Sequence, residues 1–142
     1  MSFGNDLRED LLDLVFAGEA YTAVDDFEIA LSTTAINDDG TGITEPEAAD
    51  GYARVEVPNN LTNWPAATTE DGDSPDGVTT KTNGEEIQFP VATGTWGLIT
   101  HCAIYDEDTG DFLAWGTLVT PRTIEEDDIA VFQEESIEIT LS

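Results

Sequence analysis

Basic residues are almost missing. One Lys and three Arg, at positions 81, 8, 54 and 122, stand against 31 Asp and Glu, so the formal net charge is -27 over 142 residues. Four dispersed cations cannot form the basic stripe that a nucleic-acid backbone requires, and no nucleic-acid partner is expected. Cysteine is as scarce: the lone Cys102 excludes an internal disulfide framework and a cysteine-rich zinc site. The single histidine, His101, is its neighbour. Adjacent residues of an extended strand point to opposite faces, so the two cannot form a direct nucleophile and base pair and read as core residues of a hairpin. No stretch approaches the roughly 18 apolar residues of a membrane span, and the opening Met1 to Asp6 lacks the basic and apolar regions of a signal peptide. A soluble chain made in the cytoplasm, with no membrane partner, is expected. No internal repeat is visible, which argues against a fibre shaft or solenoid.

What is present is a core-forming pattern. Hydrophobic residues make up 39% of the chain, with three Trp, six Phe and three Tyr. Disorder requires low hydrophobicity as well as high charge, and only the second condition holds. Replacement of Lys by Asp and Glu is the habit of proteins from molar-salt cytoplasm, where a Debye length of roughly 3 Å at 1 M screens self-repulsion. The composition therefore reads as halophilic, with potassium or sodium condensed diffusely on the surface.

One helix is signalled, over about 5–17. Asn5 can cap it, Asp6, Glu9 and Asp10 favour its N-terminal end, and Gly18 suits its C-terminal cap. Leu7, Leu11, Leu14 and Val15 form one apolar stripe, widened by Leu12 and Phe16, which must pack inside the domain or on a neighbour. From about Asp26 the period changes to two. Phe27, Ile29, Leu31 and Thr33 alternate with a wet face of Glu28, Ala30, Ser32 and Thr34; Ala53, Val55 and Val57 alternate with Tyr52, Arg54 and Glu56; Ile87, Phe89 and Val91 repeat the pattern. Leu98 to Tyr105 and Phe112 to Val119 are apolar on both faces and read as two central strands of a hairpin turning at Gly110. Ile129 with Val131, and Ile137 to Leu141, complete about seven strands. The expected fold is mainly β, a single domain over 1–142: an antiparallel β-sandwich or jelly-roll-like body over about 26–142, with one N-terminal amphipathic helix and a long acidic loop over about 59–84.

No catalytic or cofactor-binding group stands out. Carboxylates are so abundant that no pair is marked for acid–base work, and Gly40-Thr41-Gly42 precedes no helix and no Lys, so it is no phosphate cradle. Asp106, Asp108 and Asp111, like Asp71, Asp73 and Asp76, place oxygens at spacings that suit calcium, yet neither loop has the Gly and Glu positions of an EF-hand. Turn chemistry explains both runs, and no metal site is assigned. Arg54 and Arg122 are rarities: each either answers a particular carboxylate and pins a strand or a subunit contact, or makes an ordinary surface pair. With Leu7, Leu11, Leu14 and Val15 they are the candidate interface residues.

The order of segments also carries a resemblance. Phe16-Ala17-Gly18-Glu19-Ala20-Tyr21-Thr22 leading into Phe27-Glu28-Ile29-Ala30-Leu31-Ser32, Gly51-Tyr52-Ala53-Arg54-Val55, Asn63-Trp64-Pro65-Ala66-Ala67, Thr82-Asn83-Gly84, Trp96-Gly97-Leu98-Ile99-Thr100-His101 and Thr120-Pro121-Arg122 resemble a family of small tailed-virus structural proteins, often labelled tail fibre or minor capsid proteins. The resemblance implies a virion component without enzymatic activity or cofactor, made in the host cytoplasm, exposed on the particle, and partnered by its own copies and other virion proteins. With the acidic composition it points to a virus of a salt-dwelling, archaeal host. A compact sandwich without repeats suits a capsid-surface role, as a decoration, turret or minor capsid protein. The alternatives are a tail or tail-fibre component, or a module that binds a host receptor or glycan through exposed Trp64 and Trp96.

Overall fold

A computed structural model describes residues 1–69 and 77–141. The acidic run centred on Asp71, Asp73 and Asp76 lies outside the described residues. In chain order the elements are β1 (Ser2–Phe3), α1 (Asn5–Phe16), β2 (Asp26–Ser32), a short 3-10 turn (Ala48–Asp50), β3 (Val55–Pro58), β4 (Thr68–Thr69), β5 (Thr79–Thr82), β6 (Ile87–Val91), β7 (Gly97–Asp106), β8 (Phe112–Ile124), β9 (Ile129–Phe132) and β10 (Glu138–Leu141). All strand pairings among the described residues are antiparallel. The main sheet runs in the order β1-β8-β7-β2-β3, and two smaller sheets, β10-β5-β4 and β6-β9, lie against it. The protein is mainly β with one N-terminal helix, consistent with the sandwich that the alternating sequence predicts.

The principal core lies between these layers. Ile29 and Leu31 of β2, Cys102 and Ile104 of β7 and Leu113 of β8 meet Ile87 and Phe89 of β6, Ile137, and the two indoles of Trp64 and Trp96. The β7–β8 hairpin turns as expected, with Gly110 at φ +77°, a conformation that costs glycine nothing. The central place holds for β7, which is flanked by β8 and β2. Beyond Trp115, however, β8 is an edge strand: β1 pairs with it only at Ala114 and Trp115, and Thr117 to Thr123 are mostly exposed.

The second face of β2 is buried at Ala30 and Ser32, while Glu28 stays half-buried and Thr34, past the strand, is exposed. Ala30 and Ala103 pack directly against Ile36 and Tyr105, because the segment after β2 folds back over that face, and small side chains admit it closely. Ser32, fully buried, fastens the fold-back. Its Oγ accepts the N–H groups of Thr34 and Thr44, at 3.2 and 3.0 Å, and donates to the Thr34 carbonyl at 2.9 Å. Tyr52 likewise points inward instead of outward. The strands that periodicity did not signal are β1, β4 and β5, which are two to four residues long and poor in aliphatic side chains.

The helix begins one residue early. Gly4, not Asn5, occupies the cap and makes no side-chain cap bond. Its N–H donates to the Leu113 carbonyl at 2.7 Å, and a Cβ there would stand 2.9 Å from the Phe112 ring, so close passage along β8 selects glycine over a capping side chain. Gly18 ends the helix as expected, at φ +70°.

Candidate interaction surface

The structure divides the predicted helical stripe. Leu7 and Leu11 turn toward the body, where they line an apolar cavity of about 280 Å³ with Phe27, Trp64, Ile104 and Ile139. Trp64 is 2% exposed and meets Phe27 edge-on, and its indole N–H finds no acceptor among the described residues. Leu14 is partly exposed. Leu12, Val15 and Phe16 face outward, 59%, 65% and 82% exposed, and no residue of α1 is fully buried. Beside the helix, Asp38 acts as its mooring. Its carboxylate accepts the Trp115 indole N–H at 2.9 Å and the Arg8 guanidinium at 3.0 Å, while its carbonyl accepts the Asn5 N–H at 2.9 Å. The bond from Trp115, then that from Arg8, hold the Asp38 carboxyl below the usual carboxylate range.

Arg54 answers a carboxylate within its own chain. Its Nε and Nη2 fork onto Glu45 at 2.9 and 3.2 Å, its Nη1 reaches Glu28 at 3.1 Å, and its guanidinium lies 3.9 Å from the centre of the Tyr105 ring. Glu45 also accepts the Tyr52 hydroxyl at 2.9 Å, and that hydroxyl accepts the Leu31 N–H at 2.9 Å. Burial opposes the charge on Arg54, but the bonds from Glu45 and Glu28 outweigh it and raise the guanidinium above its ordinary value. The group ties the covering segment to β2, β3 and β7, so the candidate subunit-contact residue is an intramolecular clamp. Arg122 sits on the exposed half of β8, opposite Ile99, and makes no ion pair with a described residue. It borders an open groove of about 1050 Å³ between β8 and the β9–β10 layer.

The calcium candidates are not gathered. Asp106 Oδ1 accepts the backbone N–H groups of Asp108 and Thr109, at 2.9 and 3.2 Å, which is local turn chemistry, and among the described residues no three ligating side chains converge. Trp96 is 4% exposed and donates its indole N–H to the Asp50 carbonyl at 2.8 Å. With Trp64 also in the core, neither offers the exposed stacking face that the glycan-binding alternative required. Cys102 is sealed in the core, where burial pushes its thiol up to about 12; His101 is half-buried on the other face with Nδ1 2.7 Å from Thr100 Oγ1. No helix among the described residues is long and apolar enough to cross a membrane.

The fold is thus a small antiparallel β-sandwich whose exterior carries an apolar helix strip and, among the described residues, an open sheet edge. Residues 2–140 match the family of the podophage GP4 fiber I protein gp80, and the chain belongs to that family. No curated protein matches it. It is therefore a structural component of a tailed virus, from a fibre family, as the resemblance in its segments implies. The outward helix strip could have been found in the sequence from the width of the stripe, which exceeds what one packing face can bury.

Proposed function

We propose that the chain is a non-enzymatic component of the tail or tail-fibre assembly, held on the outside of the particle with other virion proteins and adapted to high salt. The observation that carries this reading is the fibre-family match over residues 2–140, which favours the tail alternative over a decoration or turret on the head. Lack of a repeat argues against a shaft and leaves room for a compact module at the base or end of a fibre. The non-enzymatic reading follows from the fibre-family match and is in keeping with the burial of the chain's one thiol, Cys102. Salt adaptation is supported by the net charge of -27 with only four basic side chains. Electron cryomicroscopy of purified virions, with an antibody to the chain as label, tests the assignment. Density on the tail or its fibres is expected, and density confined to the head shell would restore the capsid-surface reading.

A further inference from the structure

We propose that the outward strip of α1, formed by Leu12, Val15 and Phe16, docks into an apolar groove with a Lys- or Arg-bearing rim on a different protein of the particle. This rests on the reading of the chain as a fibre component. At 100° per residue, Leu12, Val15 and Phe16 fall within one arc of about 100°, which begins beside Leu11 and turns from there to the side opposite Leu7. They are three of the most exposed large apolar side chains in a chain that seals Phe89, Trp64 and Trp96 almost completely. Isolated exposed hydrophobics are ordinary, but a contiguous strip at helical spacing marks a contact surface.

The helix is also lightly seated. Its beginning is fastened by Asp38, by the β1 pairing and by Leu7 against the core, whereas Leu11 is half-buried at the rim of the apolar cavity. The end that bears Val15 and Phe16 projects, and Ala17 to Ala20 after it are exposed.

Charge selects the occupant. Asp6, Glu9, Asp10 and Asp13 lie along one flank of the strip, and the only cation of the helix, Arg8, is already paired with Asp38. A groove with basic residues on its rim neutralises that flank. A second copy would bring the same carboxylates and another net charge of -27, and an anionic membrane would repel the flank.

The test uses virus particles made with the wild-type chain, with the triple variant Leu12→Gln, Val15→Gln, Phe16→Ser, and with the charge reversal Glu9→Lys, Asp13→Lys. A photo-crosslinking amino acid replaces Phe16 in a fourth preparation. Circular dichroism should show that the isolated variants keep the wild-type spectrum, since the altered side chains are exposed. Incorporation of the triple variant and of the charge reversal should fall at least tenfold, and the crosslink should join α1 to a Lys- or Arg-containing peptide of another virion protein. Wild-type incorporation of the triple variant would overturn the proposal, as would a crosslink to a second α1 or strip-dependent flotation with anionic phospholipid vesicles. Should the triple variant fail to fold, the crosslink alone decides. Absence of the wild-type chain from the particles would instead sink the fibre-component reading.

Discussion

At the scale of single residues, Arg54 shows what a rare cation does in an acidic protein. Its planar fork satisfies both oxygens of Glu45 while a third donor reaches Glu28, on side chains that are each less than one-third exposed. Lysine can supply the charge but not the fork. Arg54→Lys should cost about 2 kcal/mol and lower the thermal midpoint by roughly 5 to 8 °C, and a double-mutant cycle with Glu45→Gln should show strong coupling. Additive effects in that cycle would remove the clamp. Scarcity alone singled out Arg54 in the sequence, but its partners were hidden among 31 carboxylates, because a segment that folds back brings positions 45 and 28 to it. Asn83 was legible only as part of a turn. In the structure it is fully buried, donates to the carbonyls of Glu85 and Gln133 and accepts the Ile137 N–H, so it locks three stretches of backbone together.

At the scale of elements, the mooring of α1 is sensitive to pH. The lowered Asp38 carboxyl contributes its full stabilisation above the ordinary value of 3.8, and that contribution is lost as the pH falls through the still lower folded-state value. The Trp115 indole N–H resonance should therefore titrate with a midpoint below that of a free aspartate, and Asp38→Asn should abolish the titration. An unchanged titration in the variant would show that another group moors the helix. The helix and the β7–β8 hairpin were readable because local signals set them: a 3.6 period, Gly18 after the last turn, and Gly110 in the bend. The outer faces of β2 and β3 were not. Ala30 and Ser32 are small or polar enough to pass for a wet surface, and their burial depends on a covering segment whose path no local pattern encodes, while Tyr52 turns into the principal core against Phe89 and Trp96.

At the scale of the whole molecule, like charges are built into the register. Glu28 stands directly opposite Glu56 across β2 and β3, and the Glu107 carboxyl is pushed up by desolvation and then by Asp108, Glu56, Glu28 and Asp26 around it. Screening should relieve this repulsion. The thermal midpoint is expected to rise on the order of 10 °C between about 50 mM and molar KCl. Equal stability at both concentrations would remove the case for salt adaptation. That acidity resides in loops and wet faces was visible in composition, whereas the places that lack it needed the fold. From Gly116 to Ile124 the outer edge of β8 has no ladder partner among the described residues, and this stretch contains no acidic side chain. Val119 on it is 102% exposed. Once counterions quiet the rest of the surface, this edge is where self-repulsion is weakest, and Pro121 within it has no N–H to offer a pairing strand.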